Sequence, residues 1–137
     1  MEFKIESGSG KLKEYNFFDV LVFEGEYING ERNGKGKEYS PKLSFEGGYL
    51  NGKRHGKGKE YSYTFGNLEF EGDYLNGKKI GKGKEYYLNG GLIFEGEYVN
   101  GLRSGKGKEY YDDGQLVFEG EYLNGRRDGK GKEYNIK

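Results

Sequence analysis

The stretch Leu92-Ile93-Phe94-Glu95-Gly96-Glu97-Tyr98-Val99-Asn100-Gly101-Leu102-Arg103-Ser104-Gly105-Lys106-Gly107-Lys108-Glu109-Tyr110 carries one complete structural unit. Leu92, Phe94, Gly96 and Tyr98 share one parity, while Ile93, Glu95, Glu97 and Val99 share the other. Alternation with a period of two is a strand with one aromatic and one charged face. Asn100-Gly101 is a strong turn signal, and Lys106 to Tyr110 reads as the returning strand. The unit is a β-hairpin.

The same unit recurs along the chain. Phe-Glu-Gly-x-Tyr starts at Phe23, Phe45, Phe70, Phe94 and Phe118, at steps of 22, 25, 24 and 24 residues. Each copy is followed by an Asn-Gly, and Lys-Gly-Lys-Glu-Tyr begins at Lys35, Lys57, Lys82, Lys106 and Lys130. A degenerate copy, Lys11-Leu12-Lys13-Glu14-Tyr15, precedes them, with Leu12 in place of the glycine. Terminal units of an array are atypical because one side has no neighbour to pack on, so residues 1–22 read as an N-terminal cap hairpin. The expected domain is a single repeat array over residues 1–137, with repeats starting at 23, 45, 70, 94 and 118.

Composition agrees with an all-β chain. The 137 residues include 27 Gly, 1 Pro, 14 Tyr and 9 Phe but no Ala, Trp or Cys, a mix that favours pleated surfaces over helices. Net charge is zero, which argues against a nucleic-acid partner, and acids and bases balance within each unit. The absence of Cys excludes disulfides and thiolate chemistry, and the single His55 excludes a multi-histidine metal site. Neither a signal peptide nor 18 consecutive apolar residues is visible, so the expectation is an intracellular, cytoplasmic protein, with association to a membrane or cytoskeleton left open.

Charge suggests a register. Pairing Glu95 with Lys108 and Glu97 with Lys106 sets opposite charges across from one another, places Gly107 opposite Gly96 and Gly105 opposite Tyr98, and leaves a four-residue tip loop. The glycines would then make room for the Phe and Tyr rings to lie flat across the sheet. Strict alternation puts Tyr110 on the charged face, whereas a bulge near Glu109 would return it to the aromatic one. The sequence leaves open which side Tyr39, Tyr61, Tyr86, Tyr110 and Tyr134 take.

Aromatic-x-Gly-x-aromatic, then Gly, then Gly-x-Gly, repeated five times from Phe23 to Tyr134, resembles the MORN (membrane occupation and recognition nexus) repeat. Tyr27, Tyr49, Tyr74, Tyr98 and Tyr122 stand where Trp is commonest in that family, and the spacers around Pro41 and Tyr63-Thr64-Phe65-Gly66 vary. The resemblance implies an elongated single-layer array of antiparallel hairpins serving as a scaffold or targeting module, sometimes dimeric.

A single sheet leaves an apolar face to be covered, and native twist can curl it into a trough in which rings of neighbouring repeats cover one another. Whatever stays open is a strip suited to a partner. The expected partner groove is Phe23, Tyr27, Phe45, Tyr49, Phe70, Tyr74, Phe94, Tyr98, Phe118 and Tyr122, taking a protein segment or a second copy of the chain. The competing reading is a peripheral membrane adaptor whose hairpin tips, Arg32, Arg54, Lys79, Arg103 and Arg127, meet anionic phospholipid. Sugar or choline binding is weaker, because Trp is absent.

No catalytic residues, cofactor, metal or small-molecule substrate is expected. Ser7-Gly8-Ser9-Gly10-Lys11 has Ile5 and Leu12 where a P-loop needs Gly and Ser/Thr. Asp112-Asp113-Gly114 lacks the calcium-loop ligand pattern and reads as a turn. Glu24/Glu26, Glu95/Glu97 and Glu119/Glu121 repeat beside lysines as a charge ladder, and three copies of one glycosidase pair make little sense. His55 occupies a tip position filled elsewhere by Asn33, Ile80, Ser104 and Asp128, and reads as solvated.

Overall fold

The computed structural model describes residues 9–135. Eleven strands follow one another: β1 (Gly10–Tyr15), β2 (Leu21–Ile28), β3 (Glu31–Tyr39), β4 (Leu43–Leu50), β5 (Lys53–Tyr61), β6 (Leu68–Leu75), β7 (Lys78–Tyr86), β8 (Leu92–Val99), β9 (Leu102–Tyr110), β10 (Leu116–Leu123) and β11 (Arg126–Glu133). Among the described residues they form one antiparallel sheet in chain order, open at β1 and β11 and not curled into the expected trough, with no helix. Of the expected cap, residues 1–8 lie outside the described residues. Residues 10–15 form the single strand β1, which pairs with β2.

Each hairpin closes more tightly than the charge register implies. Val99 pairs with Leu102 and Tyr98 with Arg103, so the turn is two residues long, with Asn100 at φ 51° and Gly101 at φ 87°. That left-handed pair is what Asn-Gly supplies best. Gly96 nevertheless faces Gly107 and Glu95 faces Lys108, as expected. Three residues of β9, Ser104 to Lys106, therefore stand against Glu97 alone. This bulge is made possible by Gly105 at φ 100°, and the Glu97 carboxylate accepts the Lys106 amide at 3.1 Å. The pairing expected inside the hairpin occurs between repeats, where Lys106 faces Glu121 and Gly105 faces Tyr122.

A second bulge sits between repeats. Tyr110 pairs with Leu116 and Glu109 with Phe118, leaving Val117 as the extra residue on β10. Val117 and its counterpart Ile93 consequently pack against the aromatic core, against simple alternation. The bulge is thus on the partner strand and not at Glu109, and Tyr110 keeps to the charged side, where its hydroxyl donates to Glu95 at 2.6 Å.

The core is a file of ten rings, 0 to 5% exposed. Phe94 meets Tyr98 of its own hairpin at a centroid distance of 5.7 Å and Tyr122 of the next at 5.1 Å, both edge-to-face. Glycine makes this possible, since a Cβ at Gly107 would come within 2.5 Å of Phe94 Cε1 and 3.0 Å of Tyr122 Cε1.

Candidate functional site

The ten rings expected to line an open partner groove are closed off, and the five cations expected at free tips do the closing. Because the turn has two residues, the cation lies opposite the tyrosine on the ring side and folds back over the phenylalanine. Arg32 stacks at 4.0 Å over Phe23, Arg54 at 3.9 Å over Phe45, Lys79 at 4.0 Å over Phe70, Arg103 at 4.2 Å over Phe94 and Arg127 at 4.3 Å over Phe118. Cation–π contact and burial of the side-chain stem supply the second layer that a lone sheet lacks.

Each cation is held by the glutamate that ends the preceding repeat. Arg103 Nε and Nη2 both donate to Glu85 at 2.9 Å, and the Tyr98 hydroxyl donates to the same carboxylate. Glu38 receives Arg54 and Tyr49, Glu109 receives Arg127 and Tyr122, and the buried Glu14 of β1 receives Arg32. Lys79 lies 3.9 Å from Glu60, which accepts the Tyr74 hydroxyl. Burial pushes the Glu85 carboxyl upward, but the Arg103 and Tyr98 hydrogen bonds and the Arg103 charge outweigh it, so its pKa lies below the usual range. Glu38 behaves alike, and in Glu109 the Arg127 hydrogen bond leads. Burial and the bond to Glu85 raise the Tyr98 hydroxyl. Tyr27 is the exception: its buried hydroxyl has no partner among the described residues.

The opposite side of the sheet holds an open groove of about 2410 Å³ that touches all eleven strands. Its lining includes twelve lysines and nine carboxylates, in two rows that alternate in sign from strand to strand except at Gly48 of β4, with glycine backbone, or Leu12 in β1, between them. All twelve lysines are exposed, and among the described residues only Lys57 comes within 4.0 Å of a groove carboxylate, that of Asp73. The carboxylates are more occupied. Glu46, Glu71, Glu95 and Glu119 accept the hydroxyls of Tyr61, Tyr86, Tyr110 and Tyr134 at 2.5 to 2.6 Å, and Glu24 accepts that of Tyr39. Glu26 accepts the Lys35 amide at 2.6 Å. Burial and the Glu95 hydrogen bond push the Tyr110 hydroxyl up to about 12.

The tips present something the sequence reading passed over. Ile28, Leu50, Leu75, Val99 and Leu123, one per repeat and each just before Asn-Gly, are 41 to 53% exposed. The signal was legible, since an apolar residue recurs at that position in every copy. Lys53, Lys78 and Arg126 pair directly across from three of them.

The remaining motifs are structural. Asp113 accepts the Gln115 amide at 3.0 Å in a turn completed by Gly114 at φ 92°. His55, expected to be solvated, is half-buried in the β5 bulge, where its Nδ1 is sequestered. Ser7 and Gly8 of the P-loop-like run lie outside the described residues. Among the described residues no cluster of three His, Cys, Asp or Glu is placed to hold a metal ion.

A family model described as MORN repeat matches residues 23–44, 45–66, 70–92, 94–116 and 118–135. No curated protein matches the chain.

Proposed function

Because the chain belongs to the MORN repeat family, whose repeats are interaction and membrane-associated modules, we propose that it is a non-enzymatic scaffold that lays an acidic protein segment along its lysine-lined groove. One observation carries the reading: twelve exposed lysines in two rows across eleven strands, with most of the intervening carboxylates already hydrogen-bonded to tyrosine or backbone. Lysines in a row recur about every 10 Å, two strand spacings apart. Twelve lysines against nine carboxylates give this face a net positive charge although the chain's is zero. Rings sealed beneath Arg32, Arg54, Lys79, Arg103 and Arg127 act as the spine of the module, not as its contact surface. A cytoplasmic location beside a membrane or the cytoskeleton suits such a platform.

The test is titration of a fluorescent oligoglutamate peptide into the protein, followed by anisotropy at low and moderate salt. Saturable binding that weakens with salt and is lost when Lys35, Lys57, Lys82 and Lys106 become Glu supports the groove. Equal binding by that variant counts against it.

A second reading, a peripheral membrane adaptor, draws on the tip row. The withdrawn arginines cannot serve it, but five exposed aliphatic residues beside Lys53, Lys78 and Arg126 suit the boundary of an anionic bilayer. Co-sedimentation with phosphatidylserine vesicles, lost after Leu50, Leu75 and Leu123 become Ser while oligoglutamate binding persists, would favour it.

A further inference from the structure

The groove repeats along its axis at a spacing that few backbones can match. In one row Lys37 faces Glu46, Glu46 faces Lys59, Lys59 faces Glu71 and Glu71 faces Lys84, each pair directly opposed on neighbouring strands. Like charges in that row therefore stand two strands apart, about 9.6 Å, with the opposite charge halfway between them. The second row runs beside it through Lys35, Lys57, Lys82 and Lys106, two residues away on the same strands, or about 6.8 Å. No side chain rises from the floor between the rows, because the intervening Gly36, Gly58, Gly83 and Gly107 share the parity of the buried rings.

A ligand lying along this furrow meets a lysine pair once per repeat and carboxylate midway. Acidic groups carried at the wrong interval fall on Glu46, Glu71 or Asp73 as well as on lysine, so the interval decides the net gain. On an extended strand, residues of one side recur about every 6.8 Å, and neither one nor two such steps reach the next lysine. On an α-helix every seventh residue recurs at about 10.5 Å, an excess that grows to about 4 Å across five lysines. On a polyproline II helix every third residue recurs at about 9.3 Å, and the shortfall across the same five lysines is about 1 Å. The flexible lysine stem absorbs that difference. Three residues per turn also give three stripes, so that two turn down to the two lysine rows while the third points away from the floor.

We propose, on the basis of the groove function given above, that its occupant is a protein segment in the polyproline II conformation with a period of three, two acidic residues followed by proline. Each acidic pair answers the two lysines of one strand, Lys57 with Lys59 or Lys82 with Lys84, and the proline comes level with the carboxylates of the next strand without adding charge there. Proline fixes the backbone before binding, and repulsion among the acidic side chains keeps the segment extended.

The experiment titrates two fluorescein-labelled peptides into the full chain at low salt, followed by anisotropy. One is five repeats of Glu-Glu-Pro, and the other holds the same ten glutamates and five prolines in shuffled order. The periodic peptide should bind at least fivefold more tightly. Asp73→Asn with Glu121→Gln removes two carboxylates that stand between lysines of one row, and should narrow the gap by strengthening the shuffled peptide more than the periodic one. Both peptides should be lost when Lys35, Lys57, Lys82 and Lys106 become Glu. Equal affinity for the two peptides overturns the period and leaves the groove as the contact surface, whereas no binding of either overturns both. Tighter binding by a helical peptide of equal charge with its glutamates in a heptad pattern, a gap unchanged by the double variant, or a periodic preference that survives the four lysine replacements would also overturn the proposal.

Discussion

Tyr98 and Tyr110 belong to one hairpin and each gives its hydroxyl to a glutamate, yet they do opposite work on opposite sides of one sheet. Tyr98 is buried, and its acceptor Glu85 comes from the preceding repeat and also holds Arg103, the stacked arginine of Tyr98's own hairpin. Tyr110 is half-buried, and its acceptor Glu95 is in its own hairpin among exposed lysines. The ring side therefore joins repeats to one another, while the groove side fastens each hairpin to itself and leaves its cations free. The same two residue types give adhesion or presentation according to what lies over them.

The largest break in this contrast should come from the ring side. Phe94→Ala removes a ring that touches two tyrosines and one arginine, and should cost about 3–5 kcal/mol, read as a fall in urea midpoint. Gly96→Val comes next at about 1–3 kcal/mol, because its Cβ would lie 2.6 Å from the Lys106 carbonyl and 2.7 Å from Phe94 Cζ. An unchanged midpoint would dismiss the picture of rings lying over glycine. Matched glutamate substitutions sharpen the comparison directly. Glu85→Gln strips charge from a carboxylate serving Arg103 and Tyr98 and should cost about 2 kcal/mol, against well under about 1 kcal/mol for Glu95→Gln. Equal losses would mean that the two sides are not distinct.

The smallest effect is alkaline. Tyr61, Tyr86 and Tyr110 are pushed up to about 12 by burial and their glutamate bonds, from an ordinary 10. Between pH 10 and 12 the unfolded chain loses those protons and the folded one keeps them, so stability is complete below 10 and declines through that window. Tyr110→Phe should make the decline shallower, measured by urea unfolding at stepped pH. The clamp glutamates act in the other direction. With pKa values held below the ordinary 4.5 for Glu38, Glu85 and Glu109, their contribution is present above that value and is lost as acid protonates them.

Period, hairpin, turn and ring-on-glycine packing were readable because each depends on neighbours in sequence: Asn100-Gly101 at the turn, Phe94 two residues before Gly96. What was not readable depends on bulges. Three residues against Glu97 move Arg103 from a tip to the ring side, and one surplus residue, Val117, turns the core-facing set by a position while leaving Tyr110 among the lysines. Charge pairing suggested the right kind of partner for Lys106 but the wrong strand, because Glu97 and Glu121 offer the same carboxylate from either side. The expected groove was therefore assigned to the sealed side. Even the sign of an exposed patch cannot be taken from composition when alternate residues of one strand face different ways.

Every clamp glutamate reaches forward by one hairpin and no farther. Excising residues 94–117 would hand the carboxylate of Glu85 to Arg127 and Tyr122, and inserting a further unit would create one more joint of the same kind. The span between whatever is fastened at the two extremities is thus quantised, growing by about 10 Å with each unit added, so that distance in this molecule can be edited by counting.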